Sequence, residues 1–284
     1  MRKANLQPIP ATIRPLLDTI PTGASERGIH TILNQILCPK WQKADKGQKQ
    51  DPGWALTGQY YHALHYLANK SGTNEFSLTD ELMQAIVRRI DTSPAVYSTA
   101  DRARQKAEQL FAWYRIHCME HPDTQVLGAE ELINAAYVTG MDGLSITLPE
   151  SLKDLPQGRI DRVEQNGKCV YARDYKTAYV ESSSQKNATI ANYRSGHGGM
   201  QLAWYQALVA TRHGRCDGVI LDIAWKESTP SFLQVVVDYR HTDYERRLQM
   251  LFESWATRNI GQPNYAACSV LHCRNCWTGA DDAV

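Results

Sequence analysis

The chain has 284 residues, 43% of them hydrophobic, which is enough to bury a sizeable core as one large domain or two small ones. No apolar run approaches the roughly 20 residues that cross a bilayer, and no signal-peptide pattern follows Met1, so the expectation is a soluble intracellular protein with no membrane role. A net charge of +1 excludes a global electrostatic pull on nucleic acid, and seven cysteines, an odd number without a secretory signal, argue against a disulfide framework.

In chain order, Pro8, Pro10, Pro15 and Pro21 mark residues 1–23 as an irregular arm. Ser25 reads as the N-cap of a short helix that ends near Leu37, with Pro39 after Cys38 as its stop. Residues 42–53 are polar, carry Lys43, Lys46 and Lys49, and read as a mobile loop. Thr57 then caps a helix through Asn69 that contains Gly58, His62 and His65. Ser77 and Asp80 form a capping box for a helix with Leu82, Ile86 and Ile90 on one stripe. The next helix, over 100–120, sets Ala103, Ala107, Leu110, Phe111, Tyr114 and Cys118 at helical spacing, the last as a buried thiol.

After residue 123 the pattern changes to strands, over 125–133 with Glu130 and over 134–139, so helices followed by strands predict a mixed α/β core. The stretch 158–176 reads as a β-hairpin around Asn166-Gly167, a dipeptide suited to a type I′ turn. With those two residues as the loop, Gln165 pairs with Lys168, Asp161 faces Ala172 and Arg159 faces Asp174. Strand alternation then projects Asp161, Asp174 and Lys176 from one side, the two acids as diagonal neighbours roughly 7 Å apart. Two carboxylates so placed repel each other unless they share a cation, and Mg²⁺ takes one or two carboxylates while keeping waters. An adjacent lysine can orient or deprotonate a nucleophile and offset charge on a phosphate, so the set suits phosphodiester hydrolysis. A surface hairpin with solvated charges gives the same residues, and the weight of the reading comes from the rest of the chain.

The polar stretch 181–195 reads as a disordered or substrate-ordered loop, and Gly198-Gly199 opens a helix over 200–213. On it Gln201 and Tyr205, four apart, share a face, either as surface residues or to hold a water or phosphate. Strands over 219–225 and 232–238 and a helix over 243–258, burying Leu248, Leu251, Phe252 and Trp255, complete the core. Local basic sets, each also readable as a solvated face, are Lys43, Lys46 and Lys49; Arg102, Arg104 and Lys106; and Arg159, Arg162, Lys168 and Arg173. Cys268, Cys273 and Cys276 crowd the C-terminus and suggest a metal or cluster, with Cys38 or, for zinc, His272 as the fourth ligand. Cys169 and Cys216 read as ordinary core cysteines.

Four short patterns recur in order: Gly-x-x-x-His at 58–62, Gly-Arg-Ile-Asp at 158–161, Asp-Tyr-Lys at 174–176 and Gln-x-x-x-Tyr at 201–205. With them the chain, from Cys38 to Cys276, resembles the RecB-like branch of the PD-(D/E)XK nuclease superfamily, which includes phage and CRISPR-associated exonucleases. The resemblance implies an α/β, restriction-endonuclease-like core with a mixed sheet flanked by helices and an N-terminal helical region. It implies one domain over 1–284, mostly helical over 1–122, catalytic over 123–258 and with a cysteine-containing tail over 259–284. By resemblance, His62, Asp161, Asp174 and the Tyr175 carbonyl would hold Mg²⁺ or Mn²⁺, Lys176 would be catalytic, and Gln201 and Tyr205 would support the site or the DNA. Glu130 resembles an upstream carboxylate of the family, with Glu131 beside it as the competing assignment. Iron-sulfur members place one cysteine near the N-terminus and three near the C-terminus, as Cys38, Cys268, Cys273 and Cys276 would be for a 4Fe-4S cluster, with zinc as the alternative. Here the Cys-x-x-Cys pair comes last, whereas in the family it precedes a later cysteine.

The expected function is a metal-dependent deoxyribonuclease, an exonuclease of recombination or DNA processing, in the cytoplasm of a bacterial cell or phage-infected host. Its expected partners are DNA and a helicase, a recombinase or further copies of itself. The alternative is an inactive nuclease fold that binds DNA or a partner and carries a structural metal cluster.

Overall fold

The computed structural model describes residues 14–17, 19–20, 29–37, 53–71, 85–86, 97–117, 123–134, 157–179, 182–227 and 230–257. Helices α1 (Arg14–Leu17), α2 (Ile29–Leu37), α3 (Gly53–Ser71) and α4 (Tyr97–His117) precede the sheet. Strands β1 (Thr124–Asn134), β2 (Gln157–Asn166) and β3 (Cys169–Ala178) follow, then α5 (Ser183–Ser195), α6 (His197–His213), β4 (Gly218–Trp225), β5 (Ser231–Val237) and α7 (Tyr244–Ala256). The five strands lie in the order β1-β2-β3-β4-β5. The sheet is mixed: β3 and β4 run parallel, from Tyr171 against Gly218 to Ala178 against Trp225, and the other neighbours are antiparallel. A parallel pair needs a crossover, which α5 and α6 supply.

Helices cover both faces of this sheet. On one, α6 packs with α2 and α7 over Val163, Ala172, Val219 and Leu221, with Trp204 and Phe252 at the centre. On the other, α3 and α4 set Tyr60, Leu64, Leu67, Leu110 and Phe111 against Ala129, Tyr175 and Ala224. All eight residues of β4 are buried, as its near-continuous apolar run requires of a strand covered on both faces. Among the described residues no helix is long and apolar enough to cross a membrane.

Several local expectations are corrected. The hairpin pairs Asn166 with Cys169, so its loop is Gly167 and Lys168 rather than Asn166 and Gly167. Gly167 has φ +59° and Lys168 no positive φ, the pattern of a type II′ turn, in which glycine takes the first central position. Helix α3 starts at Gly53, and Thr57 is a buried residue inside it rather than its cap. The N-terminal arm contains α1, which accepts Pro15 because a first-turn N–H has no helical partner to lose.

Residues 183–195 form a helix rather than a loop. None of its residues is fully buried and only Ile190 and Tyr193 pack against the core, so the apolar signal that would announce the helix is slight, and polar contacts add to this packing. The Ser182 hydroxyl accepts from the Gln185 N–H, and Lys186 pairs with Glu227 at 2.6 Å. At the other end the Tyr239 hydroxyl donates to the Tyr193 carbonyl (2.5 Å), and the Tyr244 hydroxyl reaches the carbonyls of Arg194 and Gly196.

Cys216 is buried, but Cys169 is only half-buried at the hairpin end. Outside the described residues lie the Ser25 cap, the 42–52 loop, the Ser77–Asp80 capping box, Cys118, residues 135–139 of the second strand, and Cys38, Cys268, His272, Cys273 and Cys276.

Candidate metal centre

The site lies where the β2–β3 ladder ends and the β1–β2 ladder skips one pair. In β1, Glu130 adopts φ +49°, a left-handed conformation that costs a side-chain-bearing residue on the order of 1–3 kcal/mol. The β1–β2 ladder passes from Ala129 against Arg162 to Glu131 against Ile160, and the β2–β3 ladder ends at Arg162 against Arg173. One residue further, the register would set Asp161 against Asp174. There the Asp161 carboxylate takes the place of a ladder partner: its Oδ2 accepts the Tyr175 N–H at 2.8 Å.

Helix α3 brings His62 to this opening, its Nδ1 3.5 Å from Asp161 Oδ2 and 4.0 Å from Glu130 Oε1. His62, Glu130 and Asp161 thereby offer ligand atoms within 4.8 Å of one another. The kink also separates the two adjacent glutamates. Glu130 turns to the cluster, whereas Glu131 pairs with His213 (3.0 Å) and Arg212 (3.6 Å) at the end of α6.

Asp174 stands beside this group on β3, buried, with Oδ1 accepting from Lys176 Nζ at 2.8 Å. Its Oδ2 is 2.7 Å from the same ammonium but has no hydrogen bond of its own. The Tyr175 N–H meets the cluster through Asp161, which leaves the expected role of its carbonyl as a ligand an expectation, and its ring turns to the opposite face and stacks on His65 at 3.7 Å. Gln201 donates to the Tyr205 hydroxyl at 2.6 Å, and the Tyr205 ring lies against Gly158, where any side chain would collide with Leu208.

The charges are mutually dependent. Burial raises the Glu130 pKa to about 8, reinforced by the Asp161 charge and moderated by His62. Burial likewise lifts Asp174 to about 6, against the pull of Lys176. For Asp161 burial is outweighed by His62, and its pKa is lowered. Burial opposes the His62 charge, yet Asp161 and Glu130 prevail and raise it to about 9. Lys176 is also raised, because Asp174 outweighs the cost of burying its ammonium.

Crowded acids with one imidazole, and a buried carboxylate oxygen with no hydrogen bond, make a donor set that fits a hard divalent ion such as Mg²⁺ or Mn²⁺. Sequence reasoning missed two residues, one bordering this set and one behind it on the opposite face of the sheet. Tyr193 has its pKa raised by burial, with Lys176 and Asp174 both acting on its hydroxyl. Reading 183–195 as a helix would have put Ile190 and Tyr193 on one packing face. His65, one turn from His62, joins α3 to β3 through its stack on Tyr175.

The basic set around the hairpin is dismantled. Arg162 and Arg173 are buried in ion pairs and face no solvent, and only Lys168 and half-buried Arg159 remain for a ligand.

The family model described as the PD-(D/E)XK nuclease superfamily matches residues 34–278. No curated protein matches. Among solved structures, a Eubacterium rectale protein named "Putative exonuclease" is similar with 10% identity and a TM-score of 0.46, over 82% of this chain and 76% of that one. The protein SSO0001 is similar with 12% identity and a TM-score of 0.32, over 85% of this chain and 94% of that one. With most of its length matched by the family model, and a mixed sheet flanked by helices, the chain belongs to the PD-(D/E)XK nuclease superfamily.

Proposed function

We propose that this nuclease-superfamily member is a metal-dependent deoxyribonuclease of the RecB-like branch, an exonuclease acting on DNA phosphodiesters in recombination or DNA processing. The observation that carries the reading is the convergence of His62, Glu130 and Asp161 beside the Asp174–Lys176 pair. A bound Mg²⁺ or Mn²⁺ supplies activation of water and stabilisation of the leaving oxygen. His62, Glu130, Asp161 and Asp174 would hold it. The Tyr175 N–H fixes the orientation of the Asp161 carboxylate. Lys176, an ammonium anchored on Asp174, is placed to hold a phosphate oxygen and orient the attacking water. Gln201 and Tyr205 brace the wall of the site next to Gly158.

The test is cleavage of end-labelled single- and double-stranded linear DNA with Mg²⁺, Mn²⁺ or EDTA. Cleavage should need metal, yield a ladder from the ends, and fall about 100-fold or more in Lys176→Ala. Undiminished cleavage by that variant would remove Lys176 from the chemistry. A folded wild type that binds DNA without cutting it, with either metal, would return the inactive-binder reading. For the cysteines, a visible absorption spectrum after anaerobic purification separates a 4Fe-4S cluster from stoichiometric zinc.

A further inference from the structure

Behind the site, on the face of the sheet covered by α3 and α4, lie four charged side chains that the chemistry does not use. Arg162, Glu164, Arg173 and Asp222 are between 1% and 6% exposed. Arg162 and Arg173 oppose each other on the last rung of the β2–β3 ladder, a like-charge placement that by itself is destabilising. Glu164 resolves it: its Oε2 is 2.8 Å from Arg162 Nε, and its Oε1 is 2.7 Å from Arg173 Nη2. Arg173 Nη1 reaches Asp222 on β4, and Asp222 in turn accepts from Tyr114 of α4 (3.2 Å) and from Gln234 of β5 (2.9 Å). Arg162 Nη1 donates to Asn69 of α3 at 3.1 Å.

Two cations and two anions balance, so the network is neutral. Buried ion pairs of this kind contribute little net stability compared with apolar residues of the same volume; where they matter is in fixing register. This network joins four strands and two helices, and its placement is specific. Arg162 directly follows Asp161 and Arg173 directly precedes Asp174, at the point where the ladder stops holding those acids. Asn69 lies seven residues, about two turns, beyond His62 on the same helix.

We propose that the Arg162–Glu164–Arg173–Asp222 network is the positioning device of the metal centre. It sets the separation of Asp161 and Asp174 across the splayed strands and, through Asn69, the seat of α3 that delivers His62. None of its members touches the metal or the substrate. The inference rests on the metal-centre reading, and the experiment separates the two.

The double variant Arg173→Met/Asp222→Asn removes one charge of each sign and keeps the balance. Asn69→Ala cuts the Arg162 tie to α3, together with the Asn69 contact to the Tyr175 hydroxyl, at a half-buried position. As a control, Leu248→Ala opens a cavity in the core cluster on the other face of the sheet, at a residue that contacts no member of the network. Mn²⁺ affinity is measured by calorimetry and electron paramagnetic resonance, beside Tm and the kcat and KM of cleavage. Both network variants should bind Mn²⁺ about 10-fold or more weakly and lose kcat rather than KM, whereas Leu248→Ala should lower Tm and keep wild-type affinity. Wild-type affinity in the network variants overturns the inference, as does an equal loss in Leu248→Ala. If the double variant does not fold, Asn69→Ala decides alone. A wild type that binds no Mn²⁺ overturns the metal-centre reading itself.

Discussion

Glu130 and Asp161 are acids held together without enough solvent to separate their charges, and the metal-free protein responds by keeping a proton on Glu130. Its pKa of about 8, raised by burial and then by Asp161, lies above that of an unfolded glutamate, so the folded state binds more protons over the interval between them. Stability in EDTA should therefore fall as pH rises from about 5 to 8. Glu130→Gln, a neutral isostere, should flatten this part of the profile, and Tm against pH checks it. The same variant should lose most of the Tm gain that Mn²⁺ gives the wild type. Arg159 offers a second residue-level test. It is half-buried and its charge acts on Glu130, so it stands near the carboxylate cluster as the candidate contact for a substrate phosphate. Arg159→Gln should raise KM for DNA about 10-fold and reduce the salt slope by about one, with Mn²⁺ affinity unchanged. The choice between Glu130 and Glu131 was not legible in the sequence. It is made by a single left-handed φ that no pattern of polar and apolar residues encodes.

Among the elements, β3 has the most demanding task, since it carries Asp174 and Lys176 and must pair antiparallel on one side and parallel on the other. The parallel register is fixed at its start by Asp217. The Asp217 N–H donates to the Val170 carbonyl at 2.7 Å, and its carboxylate accepts the Val170 N–H at 2.8 Å. Arg215 hydrogen-bonds that carboxylate and lowers its pKa, so the contribution is present above about pH 4 and lost on acidification below it. Asp217→Asn should cost about 1–2 kcal/mol in urea unfolding at neutral pH, and less at pH 3. Helix α5 depends on hydroxyl-to-carbonyl bonds in the same way. Tyr244→Phe should leave the fold intact and speed proteolytic cleavage within 183–195, read by mass spectrometry. The hairpin was legible for a reason of symmetry. Moving its loop by one residue shifts the pairing by two, so Asp161, Asp174 and Lys176 stayed on a common side although every partner changed. Helix α5 was not legible because it buries no residue fully and sets only Ile190 and Tyr193 against the core.

On the scale of the molecule, two apolar layers hold opposite faces of one sheet, and the candidate metal centre opens where α3 meets the end of the β2–β3 ladder. That architecture follows from the alternation of the strands and the stripes of α4 and α7, which the sequence displays. The meeting of α3 with β2 depends on packing between distant segments, which it does not. Because the centre joins several elements, a bound ion should stabilise all of them. Mn²⁺ at about 100 times its Kd should add about 2.7 kcal/mol and raise Tm by about 5 °C or more, an increment that EDTA abolishes.

The crossover has a consequence in time. Strands β1 to β3 are sequential neighbours and can zip together locally, but β3 meets β4 only after the chain from Ala178 to Gly218 has formed two helices and returned. Such long-range closure makes for high contact order and slow folding. Asp174 and Lys176 acquire their burial only at that late step. A nascent chain would therefore carry the β2–β3 hairpin before the Asp174–Lys176 pair is enclosed, and under the proposed function competence to cut would be among the last properties the folding protein gains.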